Sequence, residues 1–301
     1  MRELSPDHTK RPAASSGTDM PRGGRAASEK RLPAERSTDN REALTRQLAL
    51  PRTQERTQVV ARGHEYQLRA SEVRLLATIG AFRVVNVRDL STDTDRWRGD
   101  LQHLRREGLV AIRAAHGDRG AVATLTADAR ALLDQHRRAD VGDARQAYYA
   151  GVVKPREITH DAQLYRAYVD AATRLDAAGG RVTRVVLDFE LKRDYQRFLQ
   201  EPNRGDRQAS GRPKRSPEDI EAWATAHHLR VVDGHVQFPD VRVEYEQPDG
   251  REGREDLELA TEHYSSRQMA AKCAAGFTMH GGGSRRGGAP FDPHAAEQVL
   301  R

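Results

Sequence analysis

The sequence predicts an α+β protein of two folded units between polar ends, on three observations. Over residues 66 to 138, helical spacing of apolar residues gives way once to a pair of period-two runs. Over 157 to 280, a long amphipathic helix precedes three runs rich in branched residues, each alternating aliphatic with acidic side chains. Residues 1 to 56 and 281 to 301 show neither period.

Composition agrees with that division. A chain of 301 residues suggests about two domains at ~100–200 residues each. With 37% hydrophobic and 31% charged residues it is polar for a single globule, so part is expected to be unfolded or thinly packed. The net charge of +6 is carried mostly by arginine, whose planar fork makes two hydrogen bonds to a phosphate at once. Nucleic acid is the favoured partner, although membrane surfaces and acidic proteins would also be attracted. Cys273 is the only cysteine; an intramolecular disulfide and a cysteine-built zinc site are excluded, and a reducing cytoplasm is the expected setting. No apolar leader and no 18-residue apolar run occur, which points to a non-secreted chain that does not enter a membrane.

Taken in order, residues 1 to 56 offer Arg, Pro, Ser, Ala and acids, with only "NREALTRQLALP" (40 to 51) able to form a transient helix. A disordered basic arm is expected. "SEVRLLATIGAF" follows, with Ser71 as the expected cap and Val73, Leu75, Leu76 and Ile79 at helical spacing. "NVRDL" (86 to 90) can form a short second helix. In "STDTDRWRGDLQHLRREGLV", capping residues precede Trp97, Leu101 and Leu104, and Gly108 stops the helix. Two alternating runs around His116-Gly117-Asp118-Arg119-Gly120 read as a hairpin, and "TADARALLDQHRR" as a closing helix.

Three helices, a hairpin and a helix resemble the winged helix-turn-helix family over residues 66 to 138, within a unit drawn as 57 to 138. The resemblance implies that the third helix recognises double-stranded DNA. Its apolar stripe leaves Arg96, Arg98, Gln102, Arg105 and Arg106 on other faces, and Arg119 in the wing suits phosphate. Winged helices also serve as protein–protein modules, and that reading stands beside the first.

A polar connector over 139 to 156 leads to the second unit. "THDAQLYRAYVDAATRLDAAGG" is amphipathic, with Leu164, Tyr168, Ala171, Ala172 and Leu175 inward and Gly179-Gly180 as terminator. "RVTRVVLDFELKRDY" reads as a strand, "RGDRQASGRPKRS" as a basic loop, and "SPEDIEAWATAHHL" as a capped helix. "GHVQFPDVRVEYE" and "REDLELATE" read as strands joined at Pro248-Asp249-Gly250, and "SSRQMAAKCAAGF" as a helix before a Gly/Arg-rich flexible tail.

Strand parity puts Asp188 and Glu190 opposite Val185, Leu187, Phe189 and Leu191. It puts Asp240, Arg242 and Glu244 opposite Val241, Val243 and Tyr245, and Asp256 and Glu258 opposite Leu257 and Leu259. If the strands are neighbours, Glu190, Asp240 and Glu258 converge. Gathered carboxylates repel one another, and oxygen-only ligands suit Mg²⁺ or Mn²⁺. A sheet with one wet face would show the same alternation.

The order of elements adds to parity. Helix, strand, a strand opening at Pro239-Asp240, a strand with Glu258 in "DLELA", then a helix resembles the PD-(D/E)xK nuclease core, a restriction-endonuclease-like α/β domain. With the first unit, the chain resembles the replication-relaxation family of plasmid and mobile-element proteins over roughly residues 60 to 280. The residues that carry the resemblance are "GAFRVV", "LRREGLV", "LTADARALL", "THDAQL", "FPD", "DLELATEHY" and "QMAAKCAAGF". It implies Asp240 and Glu258 as catalytic metal ligands, with Glu190 a third acid, and His160 touching phosphate or capping its helix. Partners implied are DNA and a relaxase or replication protein. Two features depart from the pattern. Ala260 stands where a lysine is expected, leaving Lys272 on the next helix either to reach back or to sit on the surface. A final strand is hard to find after Phe277.

Overall fold

A computed structural model of the chain describes residues 41–91, 96–114, 120–139, 145–152, 158–203, 215–260 and 264–281. The protein is mixed α and β, as expected. A hairpin of β1 (Thr57–Ala61) and β2 (His64–Leu68) comes first, and helix α1 (Ala70–Phe82) follows. Strand β3 (Val85–Asn86) runs into a 3-10 turn over Val87–Leu90, then α2 (Arg96–Arg106), β4 (Val110–Ala114), β5 (Ala121–Leu125) and α3 (Ala127–Gln135). Strands β3, β5 and β4 make a three-stranded antiparallel sheet.

Local chemistry explains most of these limits. The expected second helix is one 3-10 turn, capped by the Asn86 side chain, which accepts from the Arg88 amide at 2.9 Å. Gly108 ends α2 at φ +71°, a conformation that costs other residues a Cβ clash. Helix α1 starts one residue before the expected Ser71 cap. There the Glu72 carboxylate accepts from the Arg69 amide at 3.0 Å, so the acid one turn in caps the helix. The β1–β2 hairpin was not foreseen, because its alternating residues include few aliphatics.

The second part begins with α4 (Ile158–Ala177), which ends at Gly179. A four-stranded sheet in the order β11-β10-β9-β6 packs against it: β6 (Arg181–Leu187), β9 (Val241–Glu246), β10 (Glu252–Ala260) and β11 (Thr278–Gly281). Only β10 and β11 are parallel. The final strand is therefore present as β11, and its first residues lie just beyond Phe277. The other face carries α5 (Asp188–Gln200) and α6 (Pro217–Ala226), with Val186, Leu191, Ala224 and Leu229 buried between them. A short hairpin of β7 (Val231–Val232) and β8 (His235–Val236) precedes β9, and α7 (Ser266–Ala274) connects β10 to β11.

Three expectations are corrected. The strand expected over 181 to 195 ends at Leu187, and Asp188, Phe189 and Glu190 open α5. Leu191, Tyr195, Phe198 and Leu199 recur at helical spacing, and acids in the first turn suit a helix N-terminus. A bulge between Val182 and Arg184 also breaks strict alternation in β6, so Val182 and Val185 both reach the main core.

Residues 41 to 56 do not belong to a disordered arm. A 3-10 turn over Glu42–Thr45 buries Ala43 and Leu44, and Leu48 and Leu50 are buried after it. Short as it is, "EALTRQLAL" fills a core supplied by distant residues. The connector is likewise packed where it is described. Tyr148 is buried and donates to the Leu44 carbonyl at 2.7 Å, and the Gln146 amide bonds both the N–H and the C=O of Val185. Residues 1 to 40 of the expected arm, and the tail beyond 281, lie outside the described residues.

The apolar side chains of both expected units form one cluster, from Ala43 to Leu259. Phe82 at the end of α1 meets Tyr165 and Tyr168 of α4 at 5.3 and 5.0 Å between ring centres. Gly80 is required beside them: a Cβ there would lie 2.8 Å from Leu125 and 3.0 Å from Tyr148. Among the described residues no helix is long and apolar enough to cross a membrane.

Candidate active site

Pro239 and Asp240 stand just before β9, beside the C-terminal end of β10. The Asp240 Oδ2 accepts from the Leu259 amide at 2.9 Å, and the Asp240 amide donates to Glu258 Oε2 at 3.1 Å. These two bonds lock the carboxylates together. Glu258, which points to the sheet face opposite α4, is buried in spite of its charge. Three groups compensate it. Lys272 Nζ lies 2.8 Å from Oε1, the Tyr264 hydroxyl donates to the same oxygen at 2.5 Å, and the Asp240 amide holds the other.

Lys272 therefore reaches back from α7, also donating to the Phe238 carbonyl at 2.6 Å. About two helical turns after its Ser265 cap, α7 presents this side chain toward the β9–β10 junction. The residue two positions after Glu258, Ala260, supplies no charge, and the ammonium comes from the next element instead.

On the other side, His160 Nε2 lies 3.3 Å from Asp240 Oδ2, and its Nδ1 lies 3.5 Å from Asp161 Oδ1. Asp161 in turn faces Arg83 at 3.5 Å. His160 sits in the first turn of α4, but its ring serves the carboxylates rather than capping the helix. Hydrogen bonds to Asp161 and then Asp240 outweigh burial and push its imidazolium up to about 10. Burial acts to raise the Asp240 carboxyl, yet His160, the Leu259 amide and Lys272 together hold it below the usual range. Glu258 is pushed the other way, first by burial and then by the Asp240 charge, against Lys272 and Tyr264. Two adjacent carboxyls are thus driven apart in acidity, a pattern common where protons or cations are handled.

Glu190 does not join them. Placed on α5 by the early end of β6, it is buried against Arg184, whose Nη2 donates to it at 2.9 Å. The expected trio of carboxylates is a pair. Among the described residues no group of three or more His, Cys, Asp or Glu side chains is arranged to hold a metal ion. The pair still fits a hard divalent cation: both donors are oxygens, and Mg²⁺ keeps several waters or phosphate oxygens around one or two carboxylates.

In α2, Leu101 and Leu104 are buried, while Arg98, Gln102, Arg105 and Arg106 are exposed on the other faces, as their spacing predicts. Arg119 and the side chain of Arg96 lie outside the described residues. Spacing did not reveal the buried polar side chains of the same helix. Asp100 is paired with Arg69, and His103 Nδ1 lies 3.0 Å from Glu72, itself fully buried and bonded by Arg56. Tyr264, Asp161 and Arg83 lie within "DLELATEHY", "THDAQL" and "GAFRVV" but are not site residues on the sequence alone, since an isolated tyrosine or ion pair carries no local pattern.

No family model matches the chain, and no curated protein or solved structure matches it.

Proposed function

We propose that the protein binds DNA as an accessory factor of a plasmid or other mobile element, in replication, mobilisation or relaxation of that DNA. In this reading residues 57–138 form a winged helix-turn-helix with α2 as recognition helix, and residues 157–280 form a PD-(D/E)xK-like unit. The observation that carries it is the meeting of Asp240, Glu258 and Lys272 from β9, β10 and α7. Two carboxylates with a lysine beside them can serve metal-assisted phosphodiester hydrolysis, and the helix-borne lysine would stand in for the one missing at Ala260. Order of elements and an arginine-rich α2 support the same reading.

Asp240 and Glu258 would hold Mg²⁺ or Mn²⁺, which when bound supplies charge neutralisation at the phosphate and a more acidic water. Lys272, held by the Phe238 carbonyl and paired with Glu258, would add a positive charge beside those ligands. His160, cationic between two aspartates, places a second positive charge at the mouth of the site, where a phosphate would approach.

Incubating the protein with supercoiled plasmid and Mg²⁺ or Mn²⁺ tests this. Nicking that needs the metal, and that is lost in Asp240→Asn and Lys272→Met, is the expected result. One observation favours a second reading, a DNA-binding regulator without catalysis: Asp240 and Glu258 are already balanced by His160 and Lys272. Specific DNA binding with no nicking under any metal, and no metal-induced rise in melting temperature, would select it.

A further inference from the structure

Between α5 and α6 lies a cleft of about 340 Å³ lined by Asp194, Arg197, Phe198, Glu201, Trp223 and His227. Its wall is a stack of flat groups. The His227 and Trp223 rings are 3.9 Å apart and inclined by 18°, Trp223 and Phe198 are 5.6 Å apart at 25°, and the Arg215 guanidinium lies 4.1 Å over Phe198. These rings are only half-buried.

The wall is held rigid from behind. Arg242 of β9, itself buried, donates to the His227 and His228 carbonyls at 2.7 and 2.9 Å and pairs with Asp256. The end of α6 that carries Trp223 and His227 is thereby fixed to the sheet. A preorganised aromatic surface loses little on binding a ring.

Charge and size narrow the occupant. Asp194 pairs with Arg197 at 3.3 Å and Glu201 with Arg215 at 2.5 Å, so each acid is balanced, and donors and acceptors both stand at the rim. A neutral planar heteroaromatic with amino and carbonyl edges suits that mixture better than a cation or an anion would. The volume is at the lower end of small-molecule sites, ~300–1,000 Å³, and matches one ring system rather than a peptide or a duplex.

We infer that this cleft stacks an unpaired nucleobase of a DNA strand passing the candidate active site, a role for the strand that rests on the DNA-binding reading above. The two places are physically joined: Tyr195 touches both Trp223 and Phe238, at 4.9 and 5.5 Å, and the Phe238 carbonyl holds Lys272. A base within a duplex has both faces covered, so the cleft selects single-stranded or locally opened DNA. Stacking is tolerant of base identity because every base has a π-face.

The chain has two tryptophans, so Trp97→Phe leaves Trp223 as the only tryptophan reporter. Four titrants are compared in that variant: a short single-stranded oligonucleotide, the same backbone with abasic sites, a blunt duplex, and dAMP. The oligonucleotide is expected to quench Trp223 at far lower concentration than the other three. Phe198→Leu, which keeps apolar volume without a π-face, should weaken the oligonucleotide about tenfold, and Phe198→Tyr should preserve it. Equal quenching by the abasic strand, dAMP binding as tightly as the strand, or no change in Phe198→Leu overturns the inference. Quenching that persists while Mn²⁺ leaves the melting temperature unmoved would keep the cleft and remove the metal reading. A metal shift without quenching does the reverse.

Discussion

Arg242 and His160 show how single side chains decide the behaviour of this protein. Arg242 is buried against Asp256 and two backbone carbonyls, so its removal strands one charge and two acceptors. Arg242→Met is expected to cost roughly 3–5 kcal/mol, the usual consequence of breaking a buried pair from one side. Urea unfolding gives the number, and a loss within ~0.5 kcal/mol would mean that water replaces the clamp. His160 makes stability depend on pH. Its imidazolium is favoured in the folded chain, about 10 against an ordinary 6.5. Its contribution is then complete below about pH 6.5 and is lost as pH rises toward about 10. In chelator, the stability difference between the native protein and His160→Gln should shrink across that interval. A constant or widening difference would refute the Asp161–His160–Asp240 pairing.

At the scale of elements, α2 is anchored on one side and free on the other. Leu101, Leu104, Asp100 and His103 are buried toward α1 and its neighbours, and Arg98, Gln102, Arg105 and Arg106 are exposed. If this helix meets DNA, Arg98→Ala with Arg105→Ala should weaken binding and reduce the log–log salt slope by about one for each phosphate contact removed. Anisotropy of a labelled duplex across a salt series measures both. An unchanged slope in a folded double variant would move the DNA surface elsewhere. Helix α5 teaches a different lesson. The run from Arg181 to Tyr195 is rich in strand formers at first, and "DFELKRDYQRFLQ" then has helical spacing, so the two periods overlap at Leu187. As part of a strand, Glu190 would stand with Asp240 and Glu258. The helix takes it to Arg184.

Across the whole molecule, one apolar cluster joins residues from Ala43 to Leu259. Heat is therefore expected to unfold the described parts in a single transition, with calorimetric and van't Hoff enthalpies equal. Two resolved peaks would show that the halves are independent after all. The N-terminal segment belongs to this unit. Leu44, Leu48 and Leu50 are buried, and at ~1.5–3 kcal/mol each they account for a large part of a typical 5–15 kcal/mol stability. A chain starting at Thr57 should melt far below the full chain. Equal melting temperatures would mean that these leucines are dispensable.

Periodicity alone determined α1, α2, α3, α4, α6 and α7, the hairpin of β4 and β5, and the acidic parity of β9 and β10. Each rests on residues a few positions apart, where side-chain spacing and caps such as Ser216 and Ser265 act locally. Asp240 and Glu258 were legible from the acidic parity of these strands together with the order of elements that carries the resemblance. What only the tertiary structure decided are the contacts made at long range. These are Lys272 returning to Glu258 from another element, His160 bridging Asp161 and Asp240, and β11 pairing with β10. Leu44 and Leu48 entering a core built by distant residues are of the same kind. A charge is drawn into a buried site by the charge it meets there, and a short apolar segment orders when a cavity accepts it. Neither the partner charge nor the cavity lies beside them in the chain.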